Sequence, residues 1–171
     1  LRLESDLSFA IYGSQLILHY QPKISTSTGE ITGAEALVRW HHPDFGIVNP
    51  DDFIPIAEET GLIIPLGEWV LKTACMQLKE WQTTIAGAES LKINVNLSPK
   101  QFVQNDLVAS VGNVLDRTTL ESRYLTLEIT ESAIMEGADS AVEKLKRLKD
   151  IGIKLAIDDF GTGYSSLSAL Q

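Results

Sequence analysis

The hydrophobic pattern divides the chain into an opening hairpin followed by helices and strands that alternate. Apolar stretches over residues 16–24 and 31–39, joined by turn-forming residues, predict the two strands of a hairpin, and an amphipathic segment precedes them. Further strands are predicted over residues 91–97, 124–129 and 153–157. Amphipathic helices are predicted from near Gly67 to residue 85 and over residues 107–115 and 138–148.

This alternation of elements indicates the α/β fold class. Strands separated by helices form a mainly parallel sheet with the helices outside it, as in a (β/α) barrel or a doubly wound sheet. Residues 1–171 contain no internal repeat, low-complexity tract or linker, so they are interpreted as one continuous domain or part of one. No apolar run approaches the roughly 18 residues of a membrane-spanning helix. The chain opens on Leu1 without an export signal and is expected to be excised from a longer protein.

Strand parity places several polar residues on one side of the predicted sheet. Successive side chains of a strand point to opposite faces, so Asn94 and Asn96 lie opposite the apolar positions of their strand. The same holds for Glu128 and Asp158 in the two strands that follow, and Glu35 joins them from the hairpin. If the apolar faces meet the helices, these side chains point into the interior near the carboxyl ends of their strands, where barrel enzymes keep their active sites.

The predicted interior therefore holds a cluster of acidic residues. Glu35, Glu128 and Asp158, with Asp159 at the end of the last strand, supply four carboxylates, and Asn96 supplies an amide. Two like charges about 4 Å apart repel by roughly 4 kcal/mol at an effective dielectric constant near 20, so such a cluster is protonated or contains cations. Oxygen ligands without histidine favour Mg²⁺, Mn²⁺ or Ca²⁺ over Zn²⁺. A pair of such ions suggests the hypothesis of phosphodiester hydrolysis.

Net charge and cysteine content limit the classes of binding partner and the cellular compartment that are expected. The chain carries 14 Lys and Arg against 23 Asp and Glu, a formal net charge of −9. This balance argues against binding to long nucleic acid, which requires many cations against phosphates. An anionic ligand would need metal ions or a local basic residue. The single cysteine, Cys75, excludes an internal disulfide and is typical of a reducing compartment, so a cytoplasmic location is expected.

Five segments spread along the chain carry a family resemblance. They are Tyr-Gln-Pro at 20–22, Glu-Ala-Leu-Val-Arg-Trp at 35–40, Asn-Val-Asn-Leu-Ser at 94–98, Leu-Glu-Ile-Thr-Glu at 127–131 and Asp-Asp-Phe-Gly-Thr-Gly-Tyr-Ser-Ser-Leu at 158–167. In order and spacing they resemble the EAL-domain family of cyclic-di-GMP phosphodiesterases. The resemblance implies a modified, TIM-like (β/α)₈ barrel whose first strand is antiparallel to its second, in agreement with the predicted hairpin. It also implies Mg²⁺- or Mn²⁺-dependent opening of cyclic di-GMP to linear 5′-pGpG, with Ca²⁺ able to substitute or inhibit.

The resemblance also implies roles for single residues. The positions that match metal ligands are Glu35, Asn96, Glu128, Asp158 and Asp159, and those that match catalytic positions are Glu35, Asp158 and Asp159. Arg39 matches a contact to the substrate phosphate, while Gln21 and Leu37 match positions that line the substrate site. Glu131 resembles the glutamate that anchors the loop over residues 160–166. Two glycines would let this loop move, and it is expected to couple metal and substrate binding to formation of a homodimer.

The C-terminus departs from the family pattern. A closed eight-stranded barrel takes about 250 residues, whereas about five strands are predicted before Gln171, so residues 1–171 correspond to the N-terminal two-thirds of an EAL domain. The family's Lys-Ile-Asp segment, whose lysine helps to activate water, falls beyond this point. The chain alone is therefore expected to be inactive or very weakly active. The parent protein is expected to carry an upstream sensory or GGDEF-type domain and could be tethered to a membrane.

Simpler interpretations are open for several residues. Taken singly, the aspartates and Asn96 are also typical of helix caps and turns. Ser98 is expected to cap the next helix rather than to act as a nucleophile. His41 and His42 have no Cys or further His at zinc-ligand spacing, so they are predicted to lie in a loop. Cys75 lies on an apolar helix face and is expected in the core.

Three functions compete. The first is a cyclic-di-GMP phosphodiesterase that uses two divalent ions. The second is an EAL-type receptor that binds the nucleotide without cutting it and passes a signal on. The third is a metal-dependent barrel enzyme that acts on a sugar or a carboxylic acid, because carboxylate-bound Mg²⁺ also stabilises enolates.

Overall fold

The computed structural model describes the backbone of residues 2–136 and 138–158, and the side chains of all of these except residues 2, 136, 138–140 and 158. The strands are β1 (Leu16–Ile24), β2 (Ile31–His42), β3 (Gly46–Val48), β4 (Lys92–Leu97), β5 (Leu125–Thr130) and β6 (Lys154–Asp158). The helices are α1 (Arg2–Tyr12), α2 (Pro50–Thr60), α3 (Ile63–Thr84), α4 (Pro99–Phe102), α5 (Leu107–Thr118), α6 (Glu131–Glu136) and α7 (Ala138–Asp150), with a 3₁₀ turn at Ser122–Tyr124.

The strands form a single sheet in the order β1-β2-β4-β5-β6, with β3 paired to β2. The first two strands are antiparallel, and from β2 onward the main strands run parallel. Each parallel step is connected through helices, which is the βα repeat that the sequence predicts. The predicted α/β architecture, with an antiparallel opening and an incomplete barrel, is confirmed.

Helix α3 covers one face of this sheet because its apolar residues recur at helical spacing. Leu66, Val70, Ala74 and Leu78 follow one another every fourth residue and are all buried. Cys75 is also in this core, as predicted. Full burial of one leucine side chain stabilises the fold by about 1.5–3 kcal/mol. The opposite face of β4 and β5 is therefore the one left for polar residues.

Several short elements were not predicted. Helix α2 begins with Pro50 at its first turn and ends where Gly61 adopts a φ of 78°. Its internal Pro55 interrupts the pattern that predicts a helix. Strand β3 is only three residues long. Its pairing with Trp40, His41 and His42 extends β2, so the prediction that both histidines lie in a loop was wrong.

A tight turn follows β4. Ser98 caps α4 as predicted: its Oγ accepts from the Gln101 backbone N–H at 3.3 Å, and its own N–H donates to Gln101 Oε1 at 3.1 Å. The Gln101 side chain lies against Gly67 of α3, where a Cβ atom would overlap it. Glycine at this position therefore allows α3 and the turn after β4 to approach closely.

Candidate active site

The predicted interior residues lie on three neighbouring strands, β2, β4 and β5. In the register of the sheet Glu35 is paired with Asn94, and Asn96 is paired with Glu128. Parallel pairing brings the carboxyl-terminal halves of β4 and β5 to one edge of the sheet, where β2 continues towards Leu37 and Arg39. The sheet therefore holds two carboxylates and two amides within a few residues of one another.

Hydrogen bonds join these side chains in two groups. Asn96 Nδ2 donates to Glu35 Oε1 at 2.7 Å, which links β4 to β2. Asn94 Nδ2 donates to Glu128 Oε1 at 2.5 Å, which links β4 to β5. Lys23 Nζ, from β1, donates to the same Glu128 oxygen at 2.8 Å. The structure thus brings together Glu35, Asn96 and Glu128, and adds a cation.

The two carboxylates differ in burial. Glu128 is 9% exposed and Glu35 is half-buried, while the Asn96 side chain is exposed. A buried carboxylate needs an opposite charge or several donors, because transfer of an unpaired charge out of water is costly. Lys23 and Asn94 satisfy that need for Glu128, whereas the neutral amide of Asn96 suffices for the more exposed Glu35.

A cavity of about 450 Å³ opens beside these residues. Leu37, Arg39, Asn96 and Glu128 line one side, and helices α2 and α3 line the other with residues that include Ile54. This volume lies within the range of ligand-binding pockets, about 300–1,000 Å³. The Arg39 guanidinium brings a positive charge to the wall, and its Nη1 donates to the Val38 carbonyl at 2.8 Å. The cavity therefore combines apolar surface, carboxylates and a cation.

The remaining predicted site residues are placed in part. Gln21 is exposed on β1 and paired with Glu35. Glu131 is the first residue of α6 and half-buried. Asp158 is the last residue of β6 and is in register with Thr130; the structure describes its backbone but not its side chain. Asp159 and the loop over residues 160–166, with its two glycines, also lie outside the described residues.

Comparison with known proteins identifies the family. The sequence model of the EAL domain family matches residues 4–171 of the chain. This chain belongs to the EAL domain family. Its relatives include the bifunctional diguanylate cyclase/cyclic di-GMP phosphodiesterase MucR of Pseudomonas aeruginosa, 48% identical over 171 residues, 100% of this chain and 25% of MucR. The cyclic di-GMP phosphodiesterase NbdA of the same organism is 43% identical over 100% of this chain and 22% of NbdA.

Solved structures of EAL domains have the same fold. The MucR phosphodiesterase in complex with c-di-GMP superposes with a TM-score of 0.93 and 48% identity, covering 99% of this chain and 68% of that one. The FimX EAL domain from Pseudomonas aeruginosa bound to c-di-GMP has a TM-score of 0.85 and 25% identity, covering 98% of this chain and 66% of that one. The EAL domain described here spans about a quarter of the length of MucR and NbdA.

Metal dependence is a property of the EAL phosphodiesterases, and the donor atoms of this EAL domain suit a hard divalent ion. Glu35, Asn96 and Glu128 offer carboxylate and amide oxygens from adjacent strands, without thiolate or imidazole among them. Among the side chains that the structure describes, which do not include that of Asp158, no group of three or more His, Cys, Asp or Glu is placed to hold a metal ion. The predicted set of four carboxylates depends on Asp158 and Asp159, so it stays a prediction.

Two ionisable side chains, those of Tyr20 and Cys75, pack in or against the core. Tyr20, next to Gln21 on β1, packs edge-to-face on Trp81 of α3 with ring centroids 4.8 Å apart. Burial, with the nearby charge of Glu80, raises the pKa of the Tyr20 phenol to about 12. Burial likewise raises the pKa of the Cys75 thiol to about 12, so the thiol stays protonated at neutral pH.

Two residues have clear partners that the sequence did not predict. Lys23 follows directly on the Tyr-Gln-Pro segment, which is the only signal that places it near the site. His42 is buried: its Nδ1 accepts the backbone N–H groups of Asp44 and Phe45, and its Nε2 is 3.1 Å from Asp6 Oδ2. His42 therefore ties α1 to the end of β2.

In the described part of the chain, no helix is both long and apolar enough to cross a membrane.

Proposed function

We propose that this EAL domain, as part of a longer protein, hydrolyses cyclic di-GMP to linear 5′-pGpG. The observation that carries the proposal is the joining of Glu35 and Asn96 at 2.7 Å beside a cavity lined by Leu37 and Arg39. Residues of three family segments, those at 35–40, 94–98 and 127–131, line this cavity, and Gln21 of a fourth segment is paired with Glu35. Relatives that match over the whole chain are named as cyclic-di-GMP phosphodiesterases. Residues 1–171 would form the N-terminal two-thirds of one EAL domain.

The metal centre in this proposal contains Glu35, Asn96, Glu128, Asp158 and Asp159, with Mg²⁺ or Mn²⁺ as the ions and Ca²⁺ as a substitute or inhibitor. When bound, the ions would supply activation of water and stabilisation of the leaving oxygen. Glu35, Asp158 and Asp159 are proposed as catalytic. The amide of Asn96 donates to Glu35 and so fixes the orientation of that carboxylate.

Substrate binding in this proposal uses the cavity wall. The Arg39 guanidinium would pair with a phosphate of the dinucleotide, since a planar cation forms paired hydrogen bonds with phosphate oxygens. Leu37 and the apolar residues of α2 would pack on a purine base, and Gln21 would line the same site. Glu131 would anchor the loop over residues 160–166, through which a homodimer would form. An upstream sensory or GGDEF-type domain would control the activity.

The deciding experiment is hydrolysis of cyclic di-GMP by the full-length protein in Mg²⁺, with products separated by chromatography. Glu35→Gln removes the charge and keeps the shape of the side chain. Loss of a residue that only hydrogen-bonds to a metal ligand lowers activity roughly 10–100-fold, so loss of the proposed ligand itself should lower the rate at least that much. Glu30→Gln, at an exposed position in the hairpin turn, is the matched control and should retain the wild-type rate. Absence of pGpG from the wild-type protein would overturn the proposal.

A second candidate is a receptor that binds cyclic di-GMP without hydrolysis. It is favoured by the Lys23–Glu128 pair, which neutralises the buried carboxylate without any metal ion. Calorimetry in EDTA distinguishes the two candidates. Tight binding in EDTA, with no product when Mg²⁺ is restored, would support the receptor.

A further inference from the structure

The Lys23–Glu128 ion pair joins strands that are not neighbours. Lys23 is on β1 and Glu128 on β5, and β2 and β4 lie between them in the sheet. The pair is possible because Lys23 is in register with Gly33 on β2, which has no side chain to block the path. A Cβ atom at position 33 would overlap the Lys92 backbone of β4, so only glycine fits where these two strands approach each other. The ammonium therefore crosses the inner face of the sheet.

The two oxygens of Glu128 are used unequally. Lys23 Nζ and Asn94 Nδ2 both donate to Oε1, at 2.8 and 2.5 Å. Within the residues whose side chains are described, Oε2 accepts no hydrogen bond. The carboxylate is thus held through one oxygen, and the other is left for a further ligand.

A cation bound at that second oxygen would lie close to the Lys23 ammonium. Both oxygens belong to one carboxylate, so the separation would be a few ångströms, and like charges at such distances repel strongly where water is largely excluded. Glu128 is 9% exposed, so screening by solvent is limited on its side of the pair. Lys23 is 43% exposed in its side chain, so it can move outward without losing all its hydration.

We propose that Lys23 is the resident counter-cation of Glu128: it stabilises the metal-free fold and lowers the affinity of Glu128 for a divalent ion. Lys23 is a positioning residue in this role, acting through Glu128. The inference rests on the proposed function in so far as Glu128 is a metal ligand. It goes further, because it gives Lys23, a residue of β1 outside the family segments, an effect on metal binding.

The test compares Mn²⁺ binding and thermal stability in the full-length protein. Lys23→Met removes the charge and keeps most of the stem, Lys23→Gln removes the charge and keeps a donor, and Lys23→Arg keeps the charge. Lys72→Met, at an exposed position on α3, is the matched control. Free Mn²⁺ is followed by electron paramagnetic resonance, and unfolding is followed by circular dichroism in EDTA.

Both neutral variants should bind Mn²⁺ about tenfold more tightly than the wild type, the scale on which one neighbouring charge shifts a carboxylate equilibrium. In EDTA, Lys23→Met should unfold a few degrees lower than the wild type. Lys23→Arg and Lys72→Met should match the wild type in Mn²⁺ affinity. The glutamine variant decides the matter if the methionine variant does not fold.

Unchanged or weaker Mn²⁺ binding by the neutral variants would overturn the inference, and so would absence of Mn²⁺ binding in every protein. Failure of the proposed function is seen separately, as absence of pGpG from the wild-type protein. Tighter Mn²⁺ binding by Lys23→Gln, without hydrolysis by the wild type, would support the role of Lys23 and reject the phosphodiesterase.

Discussion

Strands β4 and β5 carry one face toward the helices and another toward the cavity, and the two faces are stabilised in different ways. On the helix side Ile93, Val95, Leu125 and Leu127 are at most 3% exposed. On the cavity side Asn94 and Glu128 are each 9% exposed and are joined by particular donor–acceptor pairs. Apolar burial is non-directional, whereas the polar face depends on the identity of each partner. Substitutions on the two faces should therefore differ in kind.

The largest expected loss of stability is on the helix side. Leu127→Ala should lower the free energy of unfolding by about 2–5 kcal/mol, because it removes a buried side chain and leaves a void. Asn96→Ala, on the exposed part of the cavity side, should change it by only about 0.5 kcal/mol. Denaturation in urea measures both. Equal losses in the two variants would remove the distinction between the faces.

Substitution of Glu128 should lower the free energy of unfolding more than other substitutions on the cavity side. Glu128→Ala leaves the Lys23 ammonium and the Asn94 amide without their acceptor, which should cost about 1–3 kcal/mol, toward the lower end because Lys23 is 43% exposed. Glu35→Ala should cost less, since its partner Asn96 is exposed and regains water. Urea denaturation in EDTA tests the order. A larger loss of unfolding free energy for Glu35→Ala than for Glu128→Ala would contradict the assignment of Glu128 as the buried, charge-paired carboxylate of the two.

The smallest expected effect concerns the helix side of β1 and is confined to alkaline pH. Burial raises the pKa of Tyr20 to about 12 from a model-peptide value of 10.0, so the folded state favours the neutral phenol. Its contribution to stability is complete below pH 10 and is lost as the pH rises toward 12, where the unfolded chain deprotonates first. Tyr20→Phe should flatten the decline of the unfolding midpoint over this interval. An unchanged decline would show that other groups control it.

The main strands and the sidedness of β4 and β5 could be predicted because alternation of polar and apolar residues is local information. Helix α2 escaped prediction because Pro55 interrupts its pattern, and β3 because three residues carry no period. The partnership of Lys23 with Glu128 could not be predicted. It depends on the order of the strands in the sheet, and no spacing along the chain encodes that order.

The wrong loop prediction for His41 and His42 has a related cause. The absence of zinc-ligand spacing favoured a loop, whereas pairing with β3 decides the conformation of both residues. His42 is held by Asp6 of α1, which is distant in sequence, and by the backbone of the tight turn between β2 and β3. Sequence patterns predicted the segments of the candidate site, whereas tertiary pairing determines which side chains meet.

The reversed direction of β1 has a geometric consequence. In a barrel whose strands all run one way, the last residues of every strand reach the mouth, where a ligand enters. Because β1 runs against β2, its last residues lie beside the first residues of β2, and Lys23 is paired with Gly33 there. Its ammonium therefore approaches Glu128 from the amino-terminal end of the parallel strands. Inverting one strand lets a cation and an incoming ligand reach the same carboxylate from opposite ends.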